Sequence, residues 1–257
     1  MTAGNFQGII FLLSSQDYYS YNYYGEMGVF ENIRDNIKMV NERIAEAAIR
    51  VNKHSEDIRL VAVSKTVPSE DIKEAAELGI SDFGESRLQE AEPKINELGA
   101  IANWHMIGHL QSNKAKRAVA LFDLIQSLDS LKLAKEINHY SESFGKKTKC
   151  LLEINSSGES SKFGIEPQKA FEIAEKIGDL HNIELCGLMT IGPLSSDIDS
   201  ILRAFGQTKK LFDSIQNRIN GQFRILSMGM SSDFETAILE GSNMVRVGTA
   251  IFGHRTN

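Results

Sequence analysis

Basic residues are in deficit: 28 lysines and arginines stand against 34 aspartates and glutamates, a formal charge of −6. A chain without a basic surplus has little to set against a phosphodiester backbone, so nucleic acid is excluded as the expected partner. Cysteine is scarce as well. Cys150 and Cys186 each lie inside an apolar, strand-like run, which reads as two buried, reduced thiols in a cytoplasmic protein. Long apolar runs are missing. The stretch Ile9 to Leu13 is too short for a membrane span and has no basic segment before it, since no Lys or Arg precedes Arg34. Neither a membrane anchor nor a signal peptide is therefore expected, and a transit peptide would carry arginine.

What is present is ordinary globular material. The 257 residues are 42% hydrophobic and 24% charged, enough for one large core. The first 27 residues differ from the rest, with five of the six tyrosines falling between Tyr18 and Tyr24. They read as an appendage, residues 1–27, ahead of a domain over residues 28–257. That domain opens on a helical stripe over residues 30–53, in which Ile33, Ile37, Val40, Ile44, Ala47, Ala48 and Val51 recur at spacings of three and four. Short apolar runs then alternate with amphipathic segments. Strands are predicted at 59–64, 80–84, 102–107, 122–127, 148–154, 183–189, 223–228 and 244–248. Helices are predicted at 69–78, 86–98, 111–119, 130–143, 167–178, 197–217 and 233–240.

No Asn-Gly hairpin joins two strands directly, and continuous β-α alternation implies parallel strands with right-handed crossovers. No Gly-x-Gly-x-x-Gly follows the first strand, which argues against a dinucleotide fold. The expected architecture is a single α/β (β/α)8 barrel of the TIM type, preceded by an N-terminal helix. Such a barrel carries its reactive groups at the carboxyl ends of the strands and binds phosphate after strands seven and eight.

Three stretches bear on that corollary. "LSMGMSSDFETAILEG", residues 226–241, ends strand seven with Ser227, Gly229 and Ser231. Ser232 and Glu235 in the same stretch have the spacing of a capping box, and a Gly/Ser turn entering a helix suits an anion. Strand eight closes on Gly248-Thr249, a second cradle. Arg246, between Val245 and Val247, is a guanidinium on a buried strand: either a structural ion pair inside the barrel or a donor to a ligand over its mouth. Lys65 ends the first strand in "RLVAVSKTVPSED". It either snorkels from the barrel rim or is held where a lowered pKa lets its neutral amine attack a carbonyl. Strands one and eight are neighbours in a closed barrel, so lysine and cradle converge. Together they fit a carbonyl compound bearing a phosphate, either pyridoxal phosphate or a phosphorylated sugar in a class I aldolase.

The stretches "AVSKTVP", "DFGESRLQE", "NWHMIGHLQSNK", "INSSGESSKFGI", "GLMTIG", "LSMGMSSDF" and "VRVGTAIFG" resemble, in that order, the pyridoxal-phosphate homeostasis proteins. These are one-domain barrels similar to the N-terminal domain of alanine racemase, and the match covers roughly residues 28 to 254. The resemblance implies that Lys65 forms the internal aldimine, that Ser227, Gly229, Gly248 and Thr249 hold the phosphate, and that Arg246 faces the pyridine nitrogen. An arginine there leaves that nitrogen unprotonated and makes the ring a poor electron sink. Two further contacts are expected from Ser86 and Asn155. Ser86 and Arg87 stand where the family usually has asparagine and an aromatic, and Asn155 either bonds the ligand or caps its loop.

The function implied is intracellular homeostasis of pyridoxal 5'-phosphate: a monomer that holds the cofactor and buffers it or delivers it to apo-enzymes. The alternative is an amino-acid racemase or decarboxylase of the same barrel type. Such enzymes carry a further β-domain, and the chain ends at Asn257 soon after strand eight, so the binding role is expected. His105 and His109 are four apart but have no glutamate at the metalloprotease position, so no metal is expected. Lys114 and Lys162 lie on rim loops, either as solvated lysines or as points of transient cofactor capture.

Overall fold

A computed structural model describes residues 32–156, 163–193, 197–219 and 222–253; residues 1–27 lie outside them. The elements run α1 (Ile33–Arg50), β1 (Arg59–Val63), α2 (Ser69–Glu77), β2 (Asp82–Glu85), α3 (Leu88–Leu98), β3 (Asn103–Met106), α4 (Ala115–Leu121) and β4 (Leu124–Leu128). There follow α5 (Leu131–Ser143), β5 (Thr148–Ile154), α6 (Pro167–Gly178), β6 (Ile183–Thr190), α7 (Ile198–Gln216), β7 (Ile225–Ser227), α8 (Phe234–Leu239), β8 (Met244–Val247) and α9 (Thr249–Phe252). The eight strands form a closed barrel in sequence order. β1 closes it by pairing in parallel with β2, Val63 beside Gly84, and with β8, Val61 beside Arg246.

Alternation along the strands divides the core in two. Val61, Leu124, Leu151, Cys186, Met189 and Met244 point inward and form one buried cluster. Their sequence neighbours Ala62, Ile125, Cys150, Leu152, Leu188 and Val245 point outward into the layer packed against the helices. Each fully buried Leu, Ile or Phe contributes about 1.5–3 kcal/mol, so a slip of register by one residue would move both sets to the wrong face. β8 shows why a cation lies inside: Val245 and Val247 face the helices, so Met244 and Arg246 must face the interior.

α1 covers the last βα unit. Its N-cap, Asn32, accepts from the Asp35 amide at 2.8 Å, and its apolar stripe buries Ile37, Val40 and Ile44. Asn36 donates to the Ile251 carbonyl at 3.0 Å, and Arg43 Nε donates to Glu235 at 2.6 Å while lying over the Phe234 ring. Glu235 therefore serves this buried ion pair rather than the capping box expected from its spacing. Asp233 stabilises the turn instead, accepting from the Met230 amide at 2.6 Å. The predicted helix at 111–119 is also displaced. Ser112–Lys114 form a 3-10 turn, and the α-helix starts at Ala115. Among the described residues, no helix is long and apolar enough to cross a membrane.

Candidate functional site

A cleft of about 410 Å³ opens at the carboxyl ends of the strands, the face where a barrel of this kind carries its chemistry and a volume within the range of ligand sites. Lys65 enters it after β1, Ser86 after β2, and Ile107-Gly108 after β3. Ile191 follows β6, Met230, Ser231 and Ser232 follow β7, and β8 with its turn supplies Arg246, Gly248 and Thr249. Lys65 is exposed: its ammonium is not trapped in the core but stands at the cleft wall, on the strand face that begins with Val61.

The backbone that carries Lys65 is pinned from behind. Ser64 donates its hydroxyl to Glu85 at 2.7 Å, and Lys94 on α3 reaches both the Ser64 carbonyl at 2.7 Å and Glu85 at 2.9 Å. Glu85 is fully buried. Thr66, the next residue, has a φ of 61°, an uncommon conformation for a β-branched residue and one that this anchorage holds. Across the cleft, the amides of Gly248 and Ala250 both donate to the Ser231 hydroxyl oxygen, at 3.1 and 3.3 Å. A Cβ on Gly248 would lie 3.3 Å from Val63, so the bare backbone keeps this corner open.

Arg246 is 4% exposed. It donates from Nη1 to the Ser227 hydroxyl at 2.7 Å and from Nη2 to the Thr190 carbonyl at 2.8 Å. Burial lowers its pKa to about 10, against the opposing pull of Asp233 and Glu153, so it remains a cation at neutral pH. Burial raises the Asp233 carboxyl, opposed by the Met230 amide and Arg246. Glu153 is buried on β5 with Oε2 unpartnered. Burial first, then the Asp129 charge, push its pKa up to about 7, while Arg246 opposes them.

The expected site residues thus divide. Lys65, Ser86, Arg246, Gly248 and Thr249 line one cleft; Ser227, Gly229 and Asn155 are not part of its wall. Ser227 faces inward, as its strand position requires, but one layer lower, where its hydroxyl lies between Gln126 and Arg246. Gly229 has a φ of 94°, and a Cβ there would come within 2.6 Å of Ala237 and 2.7 Å of the Phe234 Cα. It lets the β7–α8 turn pack against its own helix. Asn155 is half-buried, and its backbone N–H donates to the Ile165 carbonyl at 3.0 Å.

His105 contacts Asp82 and Gln126, while His109 contacts Asp129 and stacks on Phe163 at 3.7 Å. Among the described residues, no cluster of three His, Cys, Asp or Glu could hold a metal. Lys114 borders an adjoining cleft with Ser86 and Arg87, and Lys162 lies outside the described residues. Sequence reasoning missed the anchor formed by Ser64, Glu85 and Lys94. Its signal was Glu85, a carboxylate on an otherwise buried strand, the same kind of anomaly that marks Arg246.

The alanine racemase N-terminal domain model matches residues 31–256. A pyridoxal phosphate homeostasis protein of Pasteurella multocida is 38% identical over 227 residues, 87% of this chain and 97% of that one, and its Escherichia coli counterpart is 38% identical over 228 residues. The structure of PipY from Synechococcus elongatus with PLP bound superposes with a TM-score of 0.72 at 34% identity, covering 82% of this chain and all of PipY. A Clostridium difficile alanine racemase matches with a TM-score of 0.71 at 19% identity, over 58% of its length, a likeness of fold alone. The chain belongs to the pyridoxal phosphate homeostasis protein family, built on the alanine racemase N-terminal domain.

Proposed function

We propose that this protein binds pyridoxal 5'-phosphate as an imine on Lys65, and buffers it or delivers it to apo-enzymes. The carrying observation is that a lysine, a buried arginine and a bare-backbone donor corner converge on one cleft of about 410 Å³. The residues fit the cofactor. Two amides that already share one oxygen acceptor, flanked by Ser231, Ser232 and Thr249, suit a phosphate. Gly248 leaves that corner unfilled. Lys65 at the opposite wall suits an aldehyde, and the apolar sides of Val63, Ile107, Ile191 and Met230 suit the faces of a ring. PipY, alike in fold along its whole length, is known with PLP bound.

The cofactor, when bound, supplies an aldehyde that forms a reversible bond to an amine. The protein supplies position and charge. Arg246 is a donor that keeps its proton at neutral pH, and opposite a ring nitrogen it leaves that nitrogen unprotonated, so carbanion chemistry is poorly supported. This favours holding the cofactor over turning over amino acids. The two buried, unpaired cysteines suit the reducing cytoplasm in which we place this role. Ser86, and Asn155 through its loop, are proposed as secondary contacts, with Ser227 and Gly229 supporting from beneath and behind. The test is the absorption spectrum of the protein titrated with pyridoxal phosphate. An imine band is expected, and Lys65→Ala should abolish it. Persistence of the band in that variant would refute the assignment.

A further inference from the structure

Below the cleft, buried polar side chains cross the barrel in single file. Arg246 Nη1 lies 2.7 Å from Ser227 Oγ, and Ser227 Oγ lies 2.7 Å from Gln126 Oε1. Gln126 Nε2 lies 2.9 Å from His105 Nδ1, and His105 Nε2 lies 3.0 Å from Asp82 Oδ1. Arg59 closes the far end, 2.7 Å from the same Asp82 oxygen. Ser227, Gln126, His105 and Asp82 are each at most 1% exposed, so water does not complete their bonding. Burial alone would raise the Asp82 carboxyl, but hydrogen bonds from His105, Arg59 and Ser81 bring it well below the usual carboxylate range.

Chemistry fixes the direction of every bond. Arginine only donates, so Ser227 accepts from it and sends its own hydrogen to Gln126 Oε1. The amide nitrogen of Gln126 then faces His105 and donates, so Nδ1 must be bare. The remaining imidazole proton sits on Nε2 and goes to Asp82, which only accepts. Protonating Nδ1 would set two donors face to face. Turning the amide over to relieve them would give Ser227 a second donor and remove the acceptor of its own hydrogen. One arrangement satisfies all members, and an unmet partner in such a place costs more than the bond itself.

We infer that Gln126 and His105 are positioning residues for Arg246: the one-way file ending on Asp82 fixes the Ser227 lone pair on which the guanidinium rests. This sets the N–H groups that Arg246 turns to the ring nitrogen of bound pyridoxal phosphate, and so rests on the reading of the cleft given above. Neither residue touches the cleft contents; both act through Ser227.

Two measurements decide it. In the protein without cofactor at neutral pH, two-bond proton–nitrogen correlation should show His105 protonated on Nε2 and bare on Nδ1. The opposite tautomer, or a doubly protonated ring, would overturn the file. With pyridoxal phosphate labelled with nitrogen-15 in the ring, Gln126→Met should shift the ring-nitrogen resonance and weaken binding about tenfold, the scale of one buried hydrogen bond. Ile125→Ala, on the same strand but facing the helices, should cost stability and leave that resonance in place. Equal resonances in wild type and Gln126→Met would refute the inference. Should Gln126→Met fail to fold, Gln126→Glu serves. Its carboxylate still accepts from Ser227 but cannot donate, so His105 should gain a proton on Nδ1, and an unchanged ring would count against the file. If the wild-type chain bound no pyridoxal phosphate, the cleft reading and the ring-nitrogen half of the inference would fall, while the His105 tautomer would still decide the file.

Discussion

Lys65 is presented to the cleft by what lies behind it: Ser64, Glu85 and Lys94 bond one another around a carboxylate with no access to water. Removing one partner of such a pair costs about 3–5 kcal/mol, because the other charge stays buried. Glu153 is a different case: among the described residues its Oε2 has no partner. Its pKa is raised from 4.5 to about 7 by burial and then by Asp129, so between those values the folded chain holds a proton that the unfolded chain has released. Stability therefore falls as pH rises from about 4.5 to about 7 and levels off above, by up to ~3 kcal/mol. Glu153→Gln should flatten this slope and raise the melting temperature at pH 8 more than at pH 5. Equal effects at both would contradict the assignment. The places of Lys65, Arg246 and Gly248 at the cleft were legible in sequence because each breaks a local rule, a cation on or just past a buried strand or a glycine at a strand end, and Thr249 follows Gly248 directly. The roles of Ser227 and Gly229 were not, because period-2 patterning gives the face of a residue but not its depth along the barrel axis.

The eight strands and the helices between them were legible at element scale, since each carries several periodic positions. α9 was not, because four residues, Thr249–Phe252, are too few to show a period. The 3-10 turn at Ser112–Lys114 hid the start of α4 for a related reason: serine and asparagine bond their own backbone and favour a turn over a helix. The β7–α8 and β8–α9 turns carry the donors that we assign to the phosphate. An imine in water is reversible and alone holds an aldehyde weakly, whereas charge-assisted bonds contribute about 1.5–3 kcal/mol each. Pyridoxal without its phosphate should accordingly bind at least about 100-fold more weakly than pyridoxal phosphate, some 2.7 kcal/mol. Similar affinities in parallel titrations would show that these turns do not hold the phosphate. Substituting Gly229 would be a poor test, because any side chain there strikes Phe234 and Ala237 and disturbs folding first.

At the scale of the molecule, the described residues form a closed barrel with an apolar layer inside, a polar file across it and the cleft on top. The closure that makes β1 and β8 neighbours brings Lys65 and Arg246 together from opposite ends of the domain. β-α alternation was enough to foresee that meeting; the polar file was hidden, because it links β2, β3, β4, β7 and β8, whose mutual depth no linear pattern records. With Arg246 rather than a carboxylate at the site, racemisation and decarboxylation of common amino acids should run below about 1 per second, the low end of ordinary enzymes. Faster turnover in a chiral or gas-release assay would move the protein to the enzymes. The central claim is the bond to Lys65, and borohydride reduction of the cofactor-loaded protein followed by peptide mapping tests it most directly. The account expects one pyridoxyl group, on Lys65. A pyridoxyl group found only on Lys114 or Lys162 would contradict it.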